Sequence, residues 1–332
     1  METKTAGSLM AAESAQAMDV FCAAAVQKVD ARALQNLRCF YTIARGSSDA
    51  AANILSYEMM RELGVPVTSL PPSVFSLGQG VAMNDTAALV ISQSGASDDL
   101  VLSAKGAAEK GARVVAITNQ SGSQVEQAAH LHLPINAGPE LAVPATKTVI
   151  GSVAAGMALL GALSPEYATR TAQSITALRS VNPTHPRAAK LQAALLRARH
   201  IYVIGRDTGY GAAHEVALKL KECCALHAEP YSSSEVLHGP MQLATNPLMV
   251  LILDSGAAHF QDSLDQAEAR FRKIGCDVQR ISPADIGATG LTPASAAAFL
   301  LAMMYPVILN TALALGMDPD APETLSKVTQ TT

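Results

Sequence analysis

Short apolar runs and helical patterns take turns along this chain. Arg38 to Ser48 is an apolar run closing on small polar residues, and a helical pattern from Asp49 to Leu63 follows it, which predicts strand, tight loop and helix. His200 to Asp207 repeats the run, with Thr208 to Gly211 reading as loop and Ala212 to Leu226 as helix. The next element recurs as well: residues 86–91 run into Ser92-Gln93-Ser94-Gly95, and residues 247–253 into Asp254-Ser255-Gly256. Each copy continues with a helix (98–110; 257–274), a strand (113–118; 277–282) and a long Ala-rich helix. Nearly equal spacing between the two loops in each half predicts a duplicated unit. The expected fold class is α/β: two tandem modules, each a parallel sheet flanked by helices on both faces. Their boundaries are expected at 1–180 and 187–332, with a hinge near Ser180 to Pro186, where prolines and small polar residues follow a helix.

One stretch qualifies this picture. Gly287 to Met317 carries no charge, and residues 296–316 could cross a bilayer on length alone. Pro306 and Asn310 interrupt it and no basic flank follows, so a helix buried in a core or at a subunit contact is expected, and no membrane span. The N-terminal residues Met1-Glu2-Thr3-Lys4 and the Ala-rich segment after them lack the basic start and apolar core of a signal peptide. Net charge is −4, with no run of Lys or Arg, which argues against nucleic acid as a partner. Five cysteines without C-x-x-C spacing argue for reduced thiols, no disulfide framework and no metal site, hence a cytoplasmic location.

In a doubly wound sheet, ligands bind beyond the carboxyl ends of the strands. There the first copy offers Ser47, Ser48, Ser92, Gln93, Ser94 and Ser97, with Gly46 and Gly95 allowing close backbone approach, a set able to hold a phosphate with neutral donors and helix N–H groups. Serines at helix starts also serve as caps, as Ser97 could for the helix beginning at Asp98. The second copy keeps only Ser255, so one phosphate site per chain is expected, in the first copy. Proton-transfer groups gather in the second copy instead. Lys219 and Glu222 are three residues apart on one helix, and His238 follows in the loop Ser234-Glu235-Val236-Leu237-His238-Gly239-Pro240. His227, in the turn closing that helix, reads as structural, and Arg45 and Arg206, after matching strands, are given no role.

Taken together, Gly46-Ser47-Ser48, Ser92-Gln93-Ser94-Gly95-Ala96-Ser97, the stretch Gly138 to Lys147, Ala217 to Glu222, His238-Gly239-Pro240 and the tail Leu325-Ser326-Lys327-Val328-Thr329 resemble the sugar isomerase (SIS) family. The match runs in order over nearly the whole chain from Met10-Ala11-Ala12-Glu13, and it resembles the isomerase half of glucosamine-6-phosphate synthase. The resemblance implies that the six first-copy residues cradle a sugar phosphate, that the backbone at Val143 meets sugar hydroxyls, and that Glu140 stands at the sugar pocket, although it could equally cap the helix near Pro144. It implies further that Glu222 moves a proton between C1 and C2, with Lys219 its helix neighbour. His238 would open the sugar ring, and Lys327 would meet the open-chain carbonyl. The family's His loop comes from the partner subunit, which implies a homodimer with shared sites; no cofactor is implied.

These residue types suit the chemistry. One carboxylate can carry a proton between adjacent carbons, and an imidazole can serve as acid and base in turn. The short stretch ahead of Arg38 leaves no room for a glutaminase module, so the expected direction is release of ammonia from glucosamine 6-phosphate, as in the SIS-type deaminases. Alternatives are a fructosamine-6-phosphate deglycase, another phosphosugar isomerase, or a non-catalytic sugar-phosphate sensor.

Overall fold

The computed structural model describes residues 5–327, so Met1 to Lys4 and the tail residues Val328 and Thr329 lie outside the described residues. Along the chain run α1 (Ser8–Ala15), α2 (Ala17–Ala24), β1 (Cys39–Ile43), α3 (Ser47–Leu63), β2 (Val67–Ser69), α4 (Ser73–Ser76), β3 (Thr86–Ser92), α5 (Asp98–Glu109), β4 (Arg113–Thr118), α6 (Gln124–Gln127) and β5 (Leu131–Pro134). There follow α7 (Lys147–Leu163), α8 (Pro165–Arg179), α9 (Ala188–Arg197), β6 (Ile201–Gly205), α10 (Thr208–Cys224), β7 (Ala228–Ser232), β8 (Met249–Leu253), α11 (Gln261–Ile274), β9 (Asp277–Ile281) and α12 (Pro293–Ala314).

Two compact units result. Ala17–Glu140 and Lys147–Gln173 belong to one; residues up to Gln16, Leu141–Thr146 and Ser174–Lys327 belong to the other. The first contains a five-stranded sheet in the order β2-β1-β3-β4-β5, the second a four-stranded sheet in the order β7-β6-β8-β9, and every pairing is parallel. Relabelled from their first strands, the two orders coincide except for the extra β5, so the repeat expected from sequence is a repeat of topology. Central strands explain themselves: β3 (TAALVIS) and β8 (MVLIL) are buried at every position, as strands hidden on both faces must be.

Three strands escape the apolar pattern. β2 has three residues, β5 ends in Pro134, and β7 (AEPYS) carries Glu229 and Pro230; all three are edge strands, where one flank needs no ladder partner. Helix starts also shift. α3 begins at Ser47 rather than Asp49 and α10 at Thr208 rather than Ala212, so residues expected in loops form the first turns of helices. Between Ala258 and Phe260 a 3-10 turn precedes α11, which begins at Gln261.

The five-stranded core gathers Ile43, Ala88, Val90, Val114 and Ala116 from the strands under Leu100, Val101, Ala104 and Ala107 of α5. Its counterpart gathers Tyr202, Ile204, Val250, Ile252 and Val278 with Leu264 and Phe271 of α11 and, from the loop after β7, Val236. The uncharged stretch is α12, long and apolar enough to span a bilayer, but most of it is buried, packed by α9, α10 and α1.

α1 is held from far along the chain. Gly7 N–H donates to Asp318 Oδ1 (2.9 Å), Leu9 N–H to Asp320 Oδ2 (2.7 Å) and Met10 N–H to Asp320 Oδ1 (2.8 Å), so carboxylates about three hundred positions away satisfy N–H groups that open a helix. Replacing Asp320 by Ala should therefore lower stability by about 1–2 kcal/mol. Urea unfolding would measure that loss, and hydrogen exchange should show protection falling at Leu9 and Met10 first.

Candidate functional site

In the five-stranded unit the strand order reverses direction between β1 and β3, and the loops after these two strands carry the predicted serines. Gly46 caps α3 with φ 56° and ψ −129°, a conformation open to glycine and strained for other residues. Ser47 and Ser48 occupy the first turn behind it. Ser92 ends β3, and its Oγ accepts from Gly95 N–H (3.0 Å), while Ser94 Oγ accepts from Ala96 N–H (3.4 Å). Gly95, at φ 61°, holds a conformation strained for other residues, and a Cβ there would lie 2.3 Å from Ser123 Oγ, so substitution would force a shift. Ser97 takes the N-cap position of α5 but makes no side-chain capping bond. Its hydroxyl is thus not spent on the helix, contrary to the capping alternative. Arg45, ahead of the first loop, pairs with Asp99 (3.1 Å). The structure brings the six residues expected to hold a phosphate to one end of one sheet.

Glu140 is the exception in this unit. Buried, it accepts from Thr148 N–H (3.1 Å) and Thr148 Oγ1 (2.5 Å) in the first turn of α7, so the capping alternative describes its visible contacts.

In the other unit α10 presents a chain of charge. Lys219, with its side chain 1% exposed, lies 3.3 Å from Glu215 one turn before it and 2.6 Å from Glu222 one turn after it. Glu215 is fully buried and receives Tyr305 Oη (3.3 Å), whereas the Glu222 side chain is 25% exposed. Burial alone would drive the proton off Lys219, but Glu215 and then Glu222 outweigh it, and the ammonium is held above the ordinary lysine range. Burial pushes the neighbouring thiols of Cys223 and Cys224 up to about 12, so neither is a nucleophile at neutral pH. The periodicity marked Lys219 and Glu222 but not Glu215, which sequence reasoning missed although its i,i+4 spacing to Lys219 was visible.

His238 ends the 3-10 turn Glu235–Leu237 and is exposed. Its loop is fastened on both sides. Val236 is buried in the core before it, and Tyr202 Oη donates to Pro240 O (2.8 Å) after it. Among the described residues the imidazole makes no hydrogen bond to Lys219 or Glu222. Val143 sits half-buried in a segment whose preceding N–H groups, Leu141 and Ala142, donate to Glu13 (2.5 and 3.3 Å); Glu13 is a positioning residue that sequence reasoning recorded only as part of a motif. Lys327 is half-buried at the last described position, and His227 is exposed, its carbonyl accepting from Ile201 N–H (3.1 Å), consistent with a structural role.

The family model for the SIS domain matches residues 34–162 and 194–276, one segment in each half of the chain. A glutamine–fructose-6-phosphate aminotransferase (isomerizing) of Halobacterium salinarum is 31% identical over 315 residues, covering 89% of this chain and 52% of its own. The chain spans about half the length of the curated relatives it matches. Among solved structures, a provisionally named phosphosugar isomerase from Silicibacter pomeroyi DSS-3 superposes with TM-score 0.82 at 29% identity, over 94% of this chain and 99% of that one. A glucosamine-6-phosphate deaminase from Thermotoga maritima shares the fold at TM-score 0.76 and 18% identity, over 98% and 100% of the two chains. With the family model matched over more than half of its residues, in both halves, the chain belongs to the SIS domain family.

Proposed function

We propose that the protein is a phosphosugar isomerase acting on aminosugar phosphates, and that its reaction is deamination of glucosamine 6-phosphate to fructose 6-phosphate and ammonia. The observation that carries this reading is the Glu215–Lys219–Glu222 series: a buried ammonium fixes a carboxylate that stays partly open to solvent. A carboxylate so held can take a proton from one carbon and return it to the next.

In the proposed sequence the uncharged serine cradle holds the phosphate, and His238 exchanges protons with the ring oxygen and anomeric hydroxyl as the pyranose opens. Glu222 removes the C2 proton, the resulting enolamine takes it back at C1, and the imine now at C2 is hydrolysed by water, releasing ammonia and leaving a C2 ketone. The ammonium of Lys219 stabilises negative charge developing on oxygen during the transfer, and Lys327 meets the open-chain carbonyl. Two findings support the reading: two relatives at 31% identity are glutamine–fructose-6-phosphate aminotransferases (isomerizing), and a glucosamine-6-phosphate deaminase shares the fold end to end. An exposed His238 without a bond to Glu222 supports its service in a neighbouring subunit's site, within a homodimer.

Ammonia release from glucosamine 6-phosphate, read with a coupled dehydrogenase beside a panel of fructosamine 6-phosphates, tests the substrate. Ammonia only from glucosamine 6-phosphate is expected, and free amino acid from the fructosamine compounds would instead make the protein a deglycase. Glu222→Gln should lower turnover by about 10²- to 10⁴-fold while leaving phosphosugar binding intact; unchanged turnover would remove Glu222 as the base. Lys219→Met leaves Glu215 buried without its counter-charge and should cost about 3–5 kcal/mol in urea unfolding. Mixing Glu222→Gln and His238→Ala chains should regain about a quarter of wild-type activity if sites are shared between subunits, since random pairing makes half the dimers mixed, each with one intact site. Heterodimers shown by mass but without activity would refute the sharing.

A further inference from the structure

In the five-stranded sheet β4 lies between β3 and β5, and its last paired residue, Thr118, stands opposite Ser92 on one side and Pro134 on the other. Asn119 is therefore the first residue beyond the sheet on the middle strand of three, at the end where the loop Ser92 to Ser97 begins. Parallel strands that stop together leave backbone groups there without ladder partners. Asn119 meets three of them. Its N–H donates to Gln93 O (3.1 Å), its Oδ1 accepts from Ala137 N–H (2.8 Å), and its Nδ2 donates to Gly138 O (2.8 Å). A primary amide matches the last two, since one partner is a donor and the other an acceptor; a carboxylate would repel the Gly138 carbonyl.

The two segments so joined have different tasks. On one side is the loop proposed to hold the phosphate, which the residues after β4 grasp a second time where Val125 N–H donates to Gly95 O (3.0 Å). On the other is a strap, Asn136 to Glu140. It bends through left-handed conformations at Asn136 (φ 55°) and Gly138 (φ 67°), two residue types that tolerate them. Glu140 fixes its far end by accepting from Thr148 at the start of α7. Asn119 fixes its near end. One residue thus sets the gap between loop and strap, with its backbone on the loop and its side chain on the strap.

Strand spacing gives that gap a scale. Loop and strap follow β3 and β5, two inter-strand steps apart, which is about 10 Å. A six-carbon chain carrying a phosphate can cover this span, whereas phosphate alone cannot.

We propose that Asn119 is a positioning residue, which fixes the distance between the phosphate-holding loop and the strap and so makes the site prefer a six-carbon phosphosugar over free phosphate. This rests on the reading that the loop Ser92 to Ser97 holds the substrate's phosphate.

Calorimetric titration of the whole chain with inorganic phosphate and with the alditol of glucosamine 6-phosphate, which lacks the carbonyl and is not turned over, tests it; the ratio of the two dissociation constants is the readout. Wild type should bind the alditol phosphate more tightly. Asn119→Ala should shrink that preference at least about tenfold while changing phosphate affinity less than about twofold. Asn119→Gln keeps both amide groups on a side chain one methylene longer, so it should recover stability in urea unfolding and still show the reduced preference. A staple with no part in ligand positioning would lower stability in Asn119→Ala and leave the ratio alone. If circular dichroism shows Asn119→Ala unfolded, Asn119→Gln decides by the same ratio. A wild-type ratio in the folded variants, or equal weakening of both ligands, would overturn the proposal. Tighter binding of glucitol 6-phosphate than of the amine-bearing alditol would sink the aminosugar reading instead, and the ratio taken with glucitol 6-phosphate would then judge Asn119. No preference for either alditol over phosphate in wild type would overturn both.

Discussion

Every strand in both sheets runs parallel to its neighbours, so each return must cross a face, and a helix does the crossing. From this constraint the remaining architecture follows. Strands covered on both faces are buried along their length, as β3 and β8 are at every position. Polar chemistry is then confined to the ends of the sheet, where strands give way to helix N-termini, and the reversal in strand order opens a gap there. The Ser-rich loops after β1 and β3 occupy such a gap.

Charge inside the four-stranded unit obeys a second rule, that a buried ion survives only with partners. Lys219 sits deep in α10 because Glu215 and Glu222 flank it on the same helical face, and Tyr305 of α12 fastens Glu215 in turn. The outcome is a graded series, from a fully buried acid through a buried cation to an acid at the surface. Only the last is partly open to solvent. Stability and reactivity are thus separated along one helix, with the inner pair fixing the geometry and the outer carboxylate free to act.

Much of this was legible in the sequence. Apolar runs of five to seven residues marked β1, β3, β4, β6 and β8, the recurring order of elements marked β9, and the matching loop spacing revealed the duplication. The edge strands β2, β5 and β7 were not legible, because at a sheet edge neither length nor apolarity is demanded, and Pro230 and Glu229 in β7 read as loop. In the site, one-helix spacing exposed Lys219 and Glu222. Contacts closing over long separations gave no local signal: the hold of Glu13 on the segment before Val143, or the grip of Asn119 on the residues after β5. Glu140 was legible in both its readings, and its bonds to Thr148 are those of a cap.

The clasp between α1 and the Asp318–Asp320 turn bears on how the chain is made. Its partners are 311 positions apart. At cellular synthesis rates, roughly 15 to 60 seconds pass between the appearance of one and of the other. During that interval α1 exists without its cap and without α12, against which it packs. An isolated helix of 8 residues has little stability of its own. Of the described helices, the first to be synthesised is therefore among the last to form, and its closure marks the completion of the unit that contains β6 to β9.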